Sequence, residues 1–175
     1  MNYSQFEKDL NSKDLIHANL IFLCKEDTVL LAMKKRGFGK NLFNGVGGKP
    51  DVGERMEESA IREAKEEIDV EIQIKDLQKV GEITFLFPYL DKSLQFNHQV
   101  TVYITTKWQN EPKETEEMRP EWFDIDKIPL DRMWDDDKYW LPQVLLGEKI
   151  RAKFWFDKNQ KVEKMEIKSL DQDSN

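Results

Sequence analysis

The sequence predicts an α/β domain, with a central mixed β-sheet held between helices in an α/β/α sandwich, and three observations carry that prediction. Short β-rich runs such as VLLAMK and ITFLF are interspersed with two stretches of helical character. Residues 56–68 repeat apolar side chains at helical spacing, with Met56, Ala60, Ile61, Ala64 and Ile68 on one face and acids on the other. The chain has 175 residues, 39% of them hydrophobic, enough for one core without disulfide or metal staples.

Taken in order, residues 1–16 are polar and mixed in charge and read as an N-terminal extension with a helical turn, ahead of a single domain over residues 17–175. Residues 18–24 and 28–34 are β-rich runs on either side of a polar Lys25-Glu26-Asp27 turn, which predicts a hairpin. Residues 37–48 form a glycine-rich loop that leads to the helix at 56–68. β-Branched and aromatic residues predict strands at 79–87 and 99–107, with residues 88–98 as the loop between them. The polar NEPKETEEMRP stretch leads to a short strand around Trp122-Phe123 and then, past Ile128-Pro129, to a second helix over residues 137–146. Pro142 is expected in the first turn or so of that helix, where it is tolerated because early positions lack an internal N–H partner. Residues 151–156 and 162–167, across a DKNQ turn, make a closing hairpin. There are no repeats and no low-complexity linkers.

Composition narrows the function. A net charge of −7 argues against a nucleic-acid polymer as partner, which asks for a basic face. No apolar run is long enough for a membrane span or secretory signal. The lone Cys24 excludes an internal disulfide and suits a reducing compartment. A cytoplasmic monomer acting on a small molecule is the resulting expectation.

The most informative stretch is GKPDVGERMEESAIREAKEEIDV, residues 48–70. Residues three and four apart share a helix face, so Glu63, Glu66 and Glu67 project together within reach of one cation, with Glu54 a turn before the helix. Like charges so packed repel until a cation neutralises them, and hard carboxylate oxygens select Mg²⁺, with Mn²⁺ as a substitute. A bare acidic helix face is usually only wet surface. The flanking residues decide otherwise.

Their spacing resembles the Nudix signature, Gx5Ex7REUxEExGU, where U is aliphatic: Gly48, Glu54, Arg62, Glu63, Glu66, Glu67 and Val70 are in register. Ala64 replaces a bulkier aliphatic and Asp69 stands in place of glycine. Asp tolerates the left-handed turn that glycine would make, so the turn is expected to survive. The resemblance implies the Nudix fold and metal-assisted pyrophosphohydrolysis. It extends from about Ala18 to the C-terminus through MKKRGFG, FNGVGGK, EMRPEWF and MWDDDKYW, which look like the branch of that family acting on oxidised purine nucleoside triphosphates such as 8-oxo-dGTP and 2-oxo-dATP.

By that resemblance Gly48 through its carbonyl, Glu63, Glu66 and Glu67, helped by Glu117, hold the metal. Glu67 is the general base, with Glu63 and Glu66 completing the catalytic set. Glu54 and Arg62 are structural, with Arg62 orienting a carboxylate through a bidentate pair. The substrate-contacting set is Asn19, Lys34, Phe38, Asn44, Phe85, Met118, Trp134, Asp136, Asp137 and Trp140, with Phe87 as a further aromatic wall. The chemistry agrees: Trp134 offers a stacking plane worth about 1–3 kcal/mol per base, and the Asn44 amide both donates and accepts. Two neighbouring buried carboxylates share a proton, so Asp136 and Asp137 present one donor and one acceptor. Asp137 doubles as a candidate helix cap. Asn19 faces the base if the first hairpin aligns without a gap; a one-residue slip gives that role to Ala18. His98 places a polar group where the family branch has an apolar one. A hydrolase of another nucleoside diphosphate derivative and a non-catalytic nucleotide-binding regulator are the competing expectations.

Overall fold

The computed structural model describes residues 3–10, 14–90 and 96–170. Its elements are α1 (Tyr3–Lys8), β1 (Ile16–Lys25), β2 (Thr28–Lys34), β3 (Phe43–Asn44), α2 (Met56–Ile68), β4 (Gln78–Leu86), β5 (His98–Thr105), β6 (Met118–Asp124), α3 (Asp137–Leu145), β7 (Ile150–Phe156) and β8 (Val162–Ser169). The strands form one eight-stranded sheet in the order β3-β2-β1-β5-β4-β7-β8, with β6 also on β2. The β1–β5 and β4–β7 pairs are parallel and the rest antiparallel, so the sheet is mixed. Among the described residues no helix is long and apolar enough to cross a membrane. Of the expected loop at 88–98, residues 91–95 lie outside the described residues, as do residues 1, 2 and 11–13 of the extension and 171–175 of the domain.

The two faces of the sheet bury two separate cores. Phe22, Val29 and Leu31 pack with Trp140, Leu141 and Val144 of α3. Ile21, Leu23, Leu30 and Ala32 pack with Ala60, Ala64 and Ile68 of α2. Successive strand residues point to opposite faces, and because both are covered, β1 and β2 read as continuous apolar runs. Fully buried Ala60 and Ala64 put small side chains where α2 meets the sheet. Past the C-terminus of α2, Asp69 is left-handed with φ 60° and its N–H donates to the Lys65 carbonyl, the turn expected of the signature glycine.

Three elements depart from expectation. The first hairpin is splayed: β1 pairs with β2 only over Leu23–Lys25 and Thr28–Leu30, and the glycine-rich segment enters between them, with β3 on Ala32 and Met33 and Val46 bridging Ile21. β6 is longer than the Trp122-Phe123 core and runs along all of β2, with Pro120 opposite Ala32. Proline is acceptable on an edge strand, and it disguises one. Pro142 is the sixth residue of α3, beyond the first turn, so it removes the N–H that would reach the Lys138 carbonyl. The helix is correspondingly short, and the Leu146 N–H closes it onto Pro142 and Gln143.

At the far end of the sheet α1 covers β7. Tyr3 packs edge-on against Trp155 with ring centroids 6.0 Å apart, and Glu7 pairs with Lys153 at 2.9 Å.

Candidate active site

The segment between β1 and β2 builds the centre of the site. A Cβ at Gly47 would collide with the Asn19 carbonyl, and one at Gly48 with the Glu63 carboxylate. Two glycines therefore let this strand lie directly against β1 and under α2. The Gly48 carbonyl accepts the Asn19 N–H at 2.9 Å, and the Gly47 N–H donates to Glu67 Oε2 at 2.9 Å.

Arg62 organises the acids. It grips Glu54 in a bidentate pair, Nε to Oε1 and Nη2 to Oε2 both at 3.0 Å, and its Nη1 donates to Glu63 at 2.9 Å and Glu66 at 3.2 Å. Nη2 also reaches the Lys49 carbonyl at 3.1 Å, which ties the loop to the helix. Glu54 is two residues before α2 rather than a full turn, and its other role is to accept the Asp51 N–H at 2.8 Å.

Glu67 is 6% exposed. Burial is the main reason its carboxyl is pushed up to about 7, with the charges of Glu63 and Glu117 adding to it and the Gly47 N–H and Lys34 opposing. Burial likewise raises Glu63, against the pull of Arg62. Glu66 is exposed, and Glu117 rests on Arg36. Among the described residues no three acids already converge on one point. The donors are nevertheless all hard oxygens, and burial, with a smaller contribution from neighbouring carboxylates, raises two of them, the condition a divalent cation relieves. The set fits such an ion.

Beside the acids opens a cavity of about 260 Å³, bordered by every residue of the expected substrate set together with Gly48 and Glu67. Of three consecutive acids, Asp136 and Asp137 border it and Asp135 does not. Asp135 faces outward, accepting the Val162 N–H at 2.9 Å and pairing with Lys138 and Lys161. Asp136 is 3% exposed and Asp137 2%. Trp140, fully buried, donates from Nε1 to Asp136 Oδ2 at 2.8 Å, whereas Asp137 Oδ2 is buried without a hydrogen-bond partner. Burial pushes Asp136 up to about 6, with the Asp135 charge adding to it and the Trp140 N–H opposing, and raises Asp137 well above the carboxylate range, with the Asp136 charge adding. Neither side chain caps α3, so capping by Asp137 is ruled out: Asp137 is already the first helical residue.

The mouth is aromatic. Trp134 meets Phe38 at 4.9 Å between centroids, and Phe38 meets Phe96 at 5.0 Å. Asn44 Oδ1 accepts the Gly45 N–H at 2.8 Å, which turns its amide nitrogen into the free donor. Phe85 stacks on Phe154 at 6.0 Å, so it is wall and core at once. Met118 borders the cavity but packs in the α2-side core.

One expected contact fails. Asn19 borders the cavity, but its amide nitrogen donates to Ser59 Oγ at 3.0 Å, on the α2 side of the sheet. It shares that face with Ile21 and Leu23. The face toward the cavity belongs to Ala18 and Leu20, which the gap-free alignment passed over. Phe156 and Val100 are further wall residues missed, although alternation along β5 and β7 signals both.

A carboxylate-bearing helix clamped to a glycine strand, beside a nucleoside-sized cavity, defines a hydrolase that uses a divalent metal on phosphoanhydrides. The chain belongs to the Nudix family: the NUDIX domain matches residues 15–144. It is 40% identical over 137 residues to the oxidized purine nucleoside triphosphate hydrolase of Danio rerio, covering 78% of this chain and 84% of that one. It is 36% identical over 152 residues to the protein of the same name from Mus musculus, covering 87% and 94%. The fold is similar to a MutT protein from Bacillus halodurans, with a TM-score of 0.73 at 19% identity over 87% of this chain and 97% of that one.

Proposed function

We propose that this protein hydrolyses oxidised purine nucleoside triphosphates to the monophosphate and pyrophosphate, with magnesium as the working metal. The observation that carries the reading is the buried Asp136–Asp137 pair at the end of an apolar cavity, with Asp137 Oδ2 lacking any protein partner. An acid kept protonated beside an ionised one presents a donor and an acceptor to a purine edge. The proton can sit on either carboxyl, so an oxidised guanine and an oxidised adenine both find a match. Trp134 would stack on the base and the Asn44 amide would donate to it. The names of the zebrafish and mouse relatives support the same substrate class.

Glu63, Glu66 and Glu67, with the Gly48 carbonyl and Glu117, would hold magnesium, which when bound neutralises phosphate charge. Arg62 keeps Glu63 and Glu66 oriented, and the Gly47 N–H fixes Glu67. Glu67, buried beside the phosphate site and oriented by the Gly47 N–H, takes the proton of the attacking water as its oxygen joins phosphorus and the anhydride bond breaks. Phosphoryl transfer asks for positioning and charge compensation, which this set supplies without a nucleophilic side chain.

The test is pyrophosphate release from 8-oxo-dGTP, 2-oxo-dATP, dGTP, dATP and a dinucleoside polyphosphate, each with magnesium or manganese. Oxidised purines should lead by at least about tenfold in kcat/KM. A better rate on the dinucleoside polyphosphate would transfer the protein to another Nudix substrate class, and tight binding without turnover would make it a regulator.

A further inference from the structure

His98 is the first residue of β5 and lies two residues before Val100, so its ring stands on the cavity side of the sheet. Its Nδ1 is 2.5 Å from the carbonyl oxygen of Phe96. A carbonyl only accepts, so Nδ1 carries the proton and the neutral ring keeps its lone pair on Nε2. Neutrality is favoured here: burial and the Lys49 ammonium hold protonation below the ordinary imidazole range, against a weaker pull from the Phe96 carbonyl. The segment that fixes this tautomer is itself packed, since the Phe96 ring contacts both Phe38 and Phe87.

With Nδ1 committed to Phe96, Nε2 is the remaining nitrogen of a ring that borders the cavity, and it has no partner among the described residues. Apolar Ala18, Leu20 and Phe85 border the cavity with it, Phe85 as its cross-strand partner, and Lys49 is the charged side chain near enough to act on the ring. Among the described residues that border the cavity, Asn44, Lys34 and Lys49 carry donors, while Asp136 and Asp137 accept, as does Glu67, which already holds the Gly47 N–H and belongs to the acid cluster. We propose that His98 is a specificity residue whose Nε2 accepts a hydrogen bond from an N–H or O–H donor of the bound nucleoside. The proposal rests on the nucleotide reading of the site. The N1–H and N2–H donors of the base lie on the edge assigned to Asp136 and Asp137, which leaves two others with the required chemistry. An 8-oxopurine carries hydrogen on N7, where the unoxidised base has a lone pair that Nε2 would repel, so contact there selects for oxidation. A sugar hydroxyl would satisfy Nε2 equally well and select nothing about the base.

Two substitutions separate the ring's two bonds. His98→Asn keeps a short N–H donor for the Phe96 carbonyl and removes the Nε2 acceptor. His98→Gln releases the tether and puts an amide oxygen near the place of Nε2. Calorimetric affinities for 8-oxo-dGMP, dGMP and 2′,3′-dideoxy-8-oxo-GMP are the readout, because product binding needs no turnover. His98→Asn should weaken 8-oxo-dGMP about tenfold, the size of one hydrogen bond, while His98→Gln stays within about threefold of wild type. If N7–H is the donor, His98→Asn leaves dGMP unchanged. If a sugar hydroxyl is the donor, dGMP weakens as much as 8-oxo-dGMP and the dideoxy nucleotide is indifferent to the substitution. Wild-type affinity of His98→Asn for all three, or equal losses in both variants, overturns the proposal, as does a wild-type protein that binds none of them. A wild-type protein that binds 8-oxo-dGMP but releases no pyrophosphate from any triphosphate overturns the proposed activity and leaves the His98 result standing.

Discussion

Replacing Asp136 by Asn removes a buried ionisable group while keeping its shape and an oxygen that can accept the Trp140 Nε1–H, now 2.8 Å away. Burial lifts the Asp136 carboxyl from the ordinary 3.8 to about 6 in the folded protein. The folded state therefore binds more protons than the unfolded state between those values, and stability falls as pH rises through that window. At about 1.4 kcal/mol per pH unit the ionised pair costs at most roughly 3 kcal/mol above pH 6, and nothing below pH 4. Asp136→Asn removes that penalty, so it should melt with wild type at pH 4 and about 6–12 °C above it at pH 8. Paired thermal melts across that range read the difference, to which Asp137 adds in the same direction, because the variant relieves it of the Asp136 charge. A difference that is flat with pH would refute the idea that this pair is held against its own ionisation. The same variant freezes one hydrogen-bonding pattern, so the ratio of 8-oxo-dGTP to 2-oxo-dATP turnover should change; equal losses on both would refute proton sharing as the source of dual recognition.

Glu67→Gln should lower kcat by about a hundred- to ten-thousand-fold, the range of a lost general base, with unchanged 8-oxo-dGMP affinity and, because burial also raises this carboxyl, a melting temperature equal to wild type near pH 4 and above it at pH 8; a near wild-type rate would remove Glu67 from that role. Arg62→Lys cannot hold Glu54 bidentately and still reach Glu63 and Glu66, so the magnesium concentration for half-maximal turnover should rise about tenfold or more while metal-free binding of 8-oxo-dGMP stays within about twofold. An unchanged magnesium requirement would show that Arg62 does not set the carboxylates. Asp69→Ala should melt about 2–4 °C below Asp69→Gly, because both lose the pairs with Lys65 and Lys113 but only alanine is strained at φ 60°. Equal melting temperatures would mean that the turn relaxes.

What the sequence conceals follows from which patterns it can display. Helix α2 shows its period because one face is acid and the other apolar, so its bounds and its carboxylates could be read at once. β1 shows none, because α2 covers one face of the strand and α3 the other, and an apolar run on both sides carries no sign of which residue points where. That is why Asn19 could be aligned to the base when its amide holds Ser59 instead. The polarity of Asn19 was itself the clue: a buried amide in such a run must find partners, and Ser59 on α2 together with the Gly48 N–H supplies them. The strand β3 is hidden for the opposite reason. Its two residues sit in a glycine-rich stretch whose glycines look like a loop, yet they are there so that Val46, Gly47 and Gly48 can lie flush against β1. Val46 takes part in that pairing, since its N–H donates to the Ile21 carbonyl at 3.1 Å, a bond proline could not make. The same wedge puts the Gly47 N–H on Glu67 and the Gly48 carbonyl beside the acids. Placement of the catalytic glutamate is thus a consequence of how the hairpin is split, a long-range feature that no local pattern in the chain records.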